Sequence, residues 1–157
     1  MRLPVWCAIL LLVPRGSLDA QREPRRGGAA FTIEALGGVV GSLVGVGVGV
    51  FATRAVDECD SEDLACNLKQ TATTGAVSVV GATAGAYLVG RSTNTAPSLA
   101  GSLLGAVAGA AAGVGVVHLL NEESNLANNN ATLVVAYSVT QGIVAAIGSR
   151  IVAAIRR

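Results

Sequence analysis

Charged and aromatic residues are both scarce in this chain. Aspartate, glutamate, lysine and arginine make up 13% of its 157 residues, about half the usual share of a soluble protein. Aromatic residues make up 3%, although aromatic rings supply much of the buried area of an ordinary core. The formal net charge is +1, and no basic patch is interleaved with aromatic residues. The composition therefore argues against a nucleic-acid-binding protein, and the length suits a single domain.

The motifs of catalysis, nucleotide binding and metal binding are also missing. No GxxxxGK[ST] loop occurs, and the GxGxxA pattern at residues 47–52 lies inside an unbroken glycine-valine run instead of a strand-to-helix turn. The one histidine, His118, has no serine or cysteine nucleophile near it in sequence. The acidic residues at 57–63 lack the spacing of an EF-hand loop. We expect no enzyme, no cofactor, no metal and no small-molecule substrate.

The N-terminus has the pattern of a secretory signal peptide. One arginine is followed by nine apolar residues, Val5 to Val13, and then by a polar stretch that ends at Ala20. We predict a signal peptide at 1–20, cleaved after Ala20, and a basic flexible tail at 21–31. The alternative is an uncleaved, disordered N-terminus.

Two cysteines lie downstream of that segment. Cys59 and Cys66 are separated by six residues, and an even number of cysteines in an exported chain predicts a disulfide between them. A two-cysteine metal site would need two further ligands, and His118 is far along the chain. Two free thiols are the remaining alternative.

Four long intervals without charge divide the rest of the chain. They separate Glu34 from Arg54, Lys69 from Arg91, Arg91 from Glu122, and Glu123 from Arg150. Each interval is close to or above the 20 or so residues that cross a hydrocarbon layer of about 30 Å as a helix. We predict an all-α fold, with helices at roughly 32–54, 70–90, 98–120 and 132–155 arranged as two helical hairpins in a domain at 32–157. A small β-barrel is the alternative, but the chain has too few aromatics for its girdles.

Glycine recurs every four residues inside these apolar segments. The first run is Gly37, Gly41, Gly45 and Gly49, and the second is Gly101, Gly105, Gly109 and Gly113. Residues four apart share one face of a helix, so each run forms a smooth groove that a second helix can approach closely. Weaker small-residue lines include Gly81, Gly85 and Gly142. We expect all of these glycines to pack against neighbouring helices. We also expect polar side chains within the helices to hydrogen-bond between helices: Thr71, Thr73, Thr74, Thr83 and Gln141.

The two glycine runs resemble those of glycine-zipper membrane proteins, whose GxxxGxxxG repeats pack transmembrane helices. Many bacterial envelope proteins and small outer-membrane lipoproteins carry such segments, although this chain lacks the lipoprotein cysteine. The resemblance is strong at 37–49 and 101–113 and looser at 75–90 and 138–148. It implies a mode of helix packing and no reaction.

The sequence therefore favours a small exported integral membrane protein with a structural or interaction role. Its expected partners are the lipid bilayer and further copies of itself. Basic residues flank one side of the predicted spans and acidic residues the other; together with a signal peptide this favours the outer over the inner membrane. The alternatives are a pore-forming or membrane-permeabilising protein and a soluble exported all-α protein.

Overall fold

The chain folds into four α-helices. The structure, a computed structural model, describes residues 27–56, 64–123 and 130–155. Helix α1 is Gly27–Val56, α2 is Leu64–Ser92, α3 is Leu99–Glu123 and α4 is Asn130–Ile155. No strand occurs within these ranges. The predicted all-α fold is confirmed, and the described residues do not form a barrel.

The helices extend beyond the apolar intervals that predicted them. Helix α1 begins at Gly27, inside the segment 21–31 that we expected to be a flexible tail, and Ala30 is already buried there. Helix α2 begins at Leu64, before the expected residue 70. A charge-free interval predicts only the apolar part of a helix and not its full length. The backbone hydrogen bonds continue into polar flanks, which the charge pattern does not detect.

Each helix runs antiparallel to the next. Helix α1 packs along α2, α3 packs along α4, and the two pairs meet mainly through α1 and α4. Helices α2 and α3 also touch, and α2 reaches α4 across the bundle. The segments joining α1 to α2 and α3 to α4 lie outside the described residues, so the two hairpins stay a prediction.

The connector between α2 and α3 ends one helix and caps the next. The Thr95 N–H donates to Gly90 O over 3.1 Å and the Asn94 N–H to Arg91 O over 3.2 Å. Asn94 has a φ of 56°, which matches the left-handed residue of a Schellman motif. Ser98 then caps α3, because its Oγ accepts the Gly101 N–H over 3.2 Å.

The core is built from alanine. Ala82 and Ala86 of α2, Ala106 of α3 and Ala145 of α4 form one fully buried cluster. Such small side chains let these three helices approach closely, which explains how the chain packs with so few aromatic residues.

Candidate functional site: the polar interior of the bundle

The α1–α2 interface is made of glycine backbone. A Cβ at Gly41 would overlap the backbone of Gly81, and a Cβ at Gly85 would overlap that of Gly37. Farther along, a Cβ at Gly45 would lie 2.7 Å from the Cα of Ser78, and one at Gly49 2.7 Å from the Cα of Thr74. No real Cβ fits at these distances. The first glycine run therefore lies directly against α2.

The α3–α4 interface repeats this arrangement. A Cβ at Gly101 would meet the carbonyl of Gly148, and one at Gly105 the carbonyl of Val144. The remaining members of the second run face Gln141 and the Tyr137 ring. These are Gly109, whose Cβ would lie 2.8 Å from the Gln141 Cα, and Gly113, whose Cβ would lie 2.8 Å from the Tyr137 Cδ2. The predicted packing glycines all face another helix.

A third close contact joins the α1–α2 pair to the α3–α4 pair through α1 and α4. The four-residue spacing of glycines within one helix does not predict this contact. A Cβ at Gly38 would lie 2.9 Å from Gly142 O, and one at Gly142 would overlap Val39 N. Gly38 is next to Gly37 in sequence but faces a different helix. Gly148 is a further packing position that the sequence analysis did not name. Gly90, which continues the four-residue small-residue line of Ser78, Ala82 and Ala86, faces Pro97.

Gln141 links three helices near the middle of the bundle. Its side chain is fully buried. Its Oε1 accepts a short hydrogen bond from the Ser42 hydroxyl of α1, and its Nε2 donates to Ala106 O of α3 over 3.3 Å. The predicted interhelical role of Gln141 is confirmed.

A buried ion pair lies toward the connector end of the same interior. Glu34 of α1 is fully buried, and its Oε2 accepts from Arg150 Nε of α4 over 3.2 Å. The Arg150 guanidinium also lies 5.2 Å from the centre of the Phe31 ring, within cation–π range. Sequence analysis used both charges only to mark the ends of apolar segments. Only the packing of α1 on α4 shows that they pair.

Buried serines extend the polar interior along the bundle. Ser42, Ser78, Ser102, Ser138 and Ser149 have no exposed surface. The Ser149 Oγ accepts the Ser98 N–H over 3.2 Å. Ser102 Oγ, Ser138 Oγ and Glu34 Oε1 have no hydrogen-bond partner among the residues that the structure describes. Buried polar atoms are nearly always hydrogen-bonded, so these three atoms are exceptions within a tightly packed interior.

The threonines do not act as the sequence suggested. We expected Thr71 and Thr83, among others, to bond between helices. Instead, Thr71 Oγ1 donates to Asn67 O over 2.9 Å, and Thr83 Oγ1 donates to Val79 O over 2.7 Å. Both bonds stay within α2, because a helical threonine reaches the carbonyl four residues earlier without any partner helix.

A cavity of about 680 Å³ lies at the end of the bundle opposite the connector. All four helices line it, chiefly with valine and alanine side chains. Its polar lining includes Thr53, Arg54, Thr71 and Tyr137. Tyr137 Oη is 3.1 Å from the buried Ser78 Oγ. The size and mostly apolar lining are those of a ligand pocket.

Large apolar side chains lie on the outside of the bundle. Val40 is 58% exposed, Leu104 is 65% exposed and Phe51 is 73% exposed. Others on all four helices are similarly exposed. These include Val44, Val80, Leu88, Val107, Val114, Val135 and Ile151. The usual order of a soluble protein, with large apolar residues inside and polar residues outside, is reversed here.

The four described helices are each long and apolar enough to cross a membrane. No cluster of three or more potential metal-ligating His, Cys, Asp or Glu side chains occurs among the described residues. Cys59 and the signal peptide at 1–20 lie outside the described residues. The Cys59–Cys66 disulfide and the signal peptide therefore stay predictions.

Comparison with known proteins gives no relative from which a function could be carried over. No protein-family model matches the chain. No curated protein and no solved structure matches it either.

Proposed function

We propose that this chain is an integral membrane protein with four spans and a structural or interaction role, in the manner of the glycine-zipper proteins that it resembles. One observation carries the proposal: the bundle has its large apolar side chains outside and its serines, Gln141 and Glu34 inside. In water, that outer surface would be an aggregation hazard, because soluble monomers rarely expose large contiguous apolar patches. In a bilayer, the same surface contacts lipid tails.

In lipid, close contact between the helices would stabilise this four-helix bundle. Lipid tails are as apolar as the helix surfaces, so burial from water does not drive the helices together there. Van der Waals contact and interhelical hydrogen bonds do this instead. The contact of Gly41 with Gly81 and the hydrogen bonds of Gln141 are interactions of these two kinds.

The two alternatives from sequence are less well supported. A soluble protein would expose Val40, Leu104 and Phe51 to water. A pore along the axis of one bundle would need a wet interior, but Ser42, Ser138 and Gln141 near the middle have no exposed surface. We expect the purified chain to release no dye from liposomes.

Residence in the outer membrane, with further copies of the chain as partners, completes the proposal. It rests on the predicted signal peptide and on the acidic residues at 57–63 and 122–123, which under this proposal cross to the far side of the membrane. An inner-membrane protein would instead follow the positive-inside rule directly, with its basic flanks in the cytoplasm. Chemical cross-linking in membranes tests for the oligomer.

Carbonate extraction of membranes tests the membrane proposal. We expect the chain to stay in the pellet with an integral membrane marker. Release into the supernatant with peripheral proteins would contradict the proposal. Protease treatment of intact cells then tests the location, because an outer-membrane arrangement exposes the acidic segments to cleavage from outside.

A further inference from the structure

The cavity at the end of the bundle opposite the connector has mainly apolar walls. Val46, Val114 and Leu133 line it from three different helices, together with Ala110 and Ala111 of α3. Its volume of about 680 Å³ lies within the range of roughly 300–1,000 Å³ that small-molecule pockets occupy. A ligand that fills this cavity therefore has a mainly apolar body.

The cavity is elongated along the helices. Its lining on α1 extends from Val46 to Arg54, which is about 12 Å at the rise of 1.5 Å per helical residue. One acyl chain fills half of a hydrocarbon layer of about 30 Å, a similar depth. Because lipid chains and membrane-spanning helices both run across the bilayer, a single acyl chain fits the cavity along its length.

The cavity lining carries one charge, and it is positive. All of the lining residues belong to the described part of the chain, and Arg54 is the one charged side chain among them. Arg54 forms no hydrogen bond or ion pair with the other residues that the structure describes. A guanidinium presents a rigid fork of donors that matches a carboxylate through two parallel hydrogen bonds. The lining is therefore complementary to a ligand with a single negative charge.

Arg54 lies at the outer end of the cavity. It is the last residue but one of the apolar span Gly28–Ala55, and it is exposed. Ser78 lies at the inner end, where its Oγ donates to Gly75 O over 2.8 Å and is 3.1 Å from Tyr137 Oη. The cation is thus at the depth of lipid head groups, and the apolar walls extend inward from it. A lipid in a bilayer has the same order of polar and apolar parts.

We propose that this cavity binds a single-chain amphiphile with a carboxylate head, of the fatty-acid class. The carboxylate pairs with the Arg54 guanidinium at the outer end, and the chain lies along the valine and alanine walls toward Ser78. A phosphate monoester head carries nearly two negative charges, and one of them would have no cation in this lining. The inference rests on the proposed membrane location, since the bilayer would supply the ligand.

Native mass spectrometry of the purified full chain, released from detergent micelles at a pH that ionises the carboxyl group, tests the proposal. The probes are dodecanoate, methyl dodecanoate and dodecyl phosphate, which share one chain and differ in head charge. We expect a one-to-one adduct with dodecanoate, at least ten-fold weaker binding of the methyl ester and several-fold weaker binding of the phosphate.

Each of the other results would contradict part or all of the proposal. Equal binding of methyl dodecanoate would overturn the role of the negative charge. Equal binding of dodecyl phosphate would overturn the preference for a carboxylate. The absence of an adduct with every probe would overturn the site.

Charge variants locate the head of the ligand. Arg54→Gln removes the guanidinium, and should weaken the binding of dodecanoate at least ten-fold while leaving that of methyl dodecanoate unchanged. Arg91→Gln is the matched control, because Arg91 is an exposed arginine at the connector end, 6.0 Å from the centre of the Tyr87 ring and outside the cavity lining. Wild-type binding of dodecanoate by Arg54→Gln would contradict the pairing with Arg54.

Packing variants locate the chain of the ligand. Ala110→Phe fills the cavity and should abolish binding of dodecanoate, whereas Ala112→Phe, on the exposed face of the same helix, should leave it unchanged. Circular dichroism checks that each variant keeps its helices. Wild-type binding by Ala110→Phe would place the ligand elsewhere and contradict the proposal. If Ala110→Phe does not fold, Arg54→Gln still decides, because it alters an exposed side chain.

Carbonate extraction of the same variants separates the two proposals. Retention of the wild-type chain in the membrane without a dodecanoate adduct would overturn the fatty-acid site alone. Release from the membrane would overturn the proposed location, whatever the mass spectra show.

Discussion

At the residue scale, glycine allows the closest contact between helix backbones, because it has no side chain. Four-residue spacing predicted that Gly41 and Gly45 would lie against another helix, and they do. It did not predict the contacts of Gly38 or Gly148. Which face each helix turns toward a neighbour is determined only when the bundle packs. The same limit hid the pairing of Glu34 with Arg150, since a charge at the end of an apolar segment looks the same whether it points to water or inward.

Substitution of glycine by alanine should separate buried from open positions. In Gly41→Ala, the new methyl group meets the backbone of Gly81, so α1 and α2 must move apart. We expect a loss of about 1–3 kcal/mol in the free energy of unfolding, the usual cost of overpacking. Gly47→Ala is the matched control, because a Cβ there meets nothing within 4 Å. Titration with sodium dodecyl sulfate, followed by circular dichroism, measures both; equal stability of the two variants would refute the close contact.

The Glu34–Arg150 pair can be tested by a double-mutant cycle. Arg150→Met leaves the carboxylate of Glu34 buried without its cation. We expect a loss of about 3 kcal/mol, the lower end of the range for a buried pair, because the Arg150 side chain keeps 34% of its surface exposed. Adding Glu34→Gln removes the stranded charge and should recover most of that loss. The same unfolding titration applies, and strictly additive effects would show that the two residues do not interact.

At the element scale, the existence of the helices was predictable and their ends were not. Long charge-free intervals require helices in a bilayer, whatever their glycine content, because the backbone has no other hydrogen-bond partner there. The ends depend on capping. Ser98 caps α3 and Asn94 ends α2 in the left-handed conformation, and neither feature follows from the absence of charge. The cavity could not be predicted at all, since its lining comes from separated parts of the chain.

The connector contains a strained alanine that glycine should relieve. Ala96 has a φ of 49°, a conformation that costs a residue with a Cβ roughly 1–2 kcal/mol. We expect Ala96→Gly to raise the free energy of unfolding by about 0.5–1 kcal/mol, after allowance for the extra entropy of glycine in the unfolded chain. Ala100→Gly, on the exposed face of α3, should instead lower it by about 1 kcal/mol. Destabilisation by Ala96→Gly would contradict the left-handed conformation at this residue.

At the scale of the whole molecule, one arrangement explains the composition. Glycine, alanine and serine fill the inside, where helices meet, and leucine, valine and isoleucine cover the outside. Aromatic residues are scarce because closely packed helices leave little space for rings; the Tyr137 ring fits between α3 and α4 where it lies against Gly113. Charge is scarce because the outer face of each helix is apolar, as the proposed contact with lipid requires. A soluble bundle of the same helices would need the opposite distribution.

The orientation of that outer surface is the central claim, and nitroxide accessibility tests it most directly. Spin labels would be attached, in a background without native cysteines, to Val40→Cys, Val44→Cys, Leu104→Cys and Val107→Cys, with Asn94→Cys in the connector as the aqueous control. In reconstituted vesicles we predict that the four outer positions collide mainly with molecular oxygen, which concentrates in lipid, and that Asn94→Cys collides mainly with a water-soluble nickel chelate. If the outer positions met the nickel chelate as often as Asn94→Cys does, these faces would lie in water and the account would be wrong.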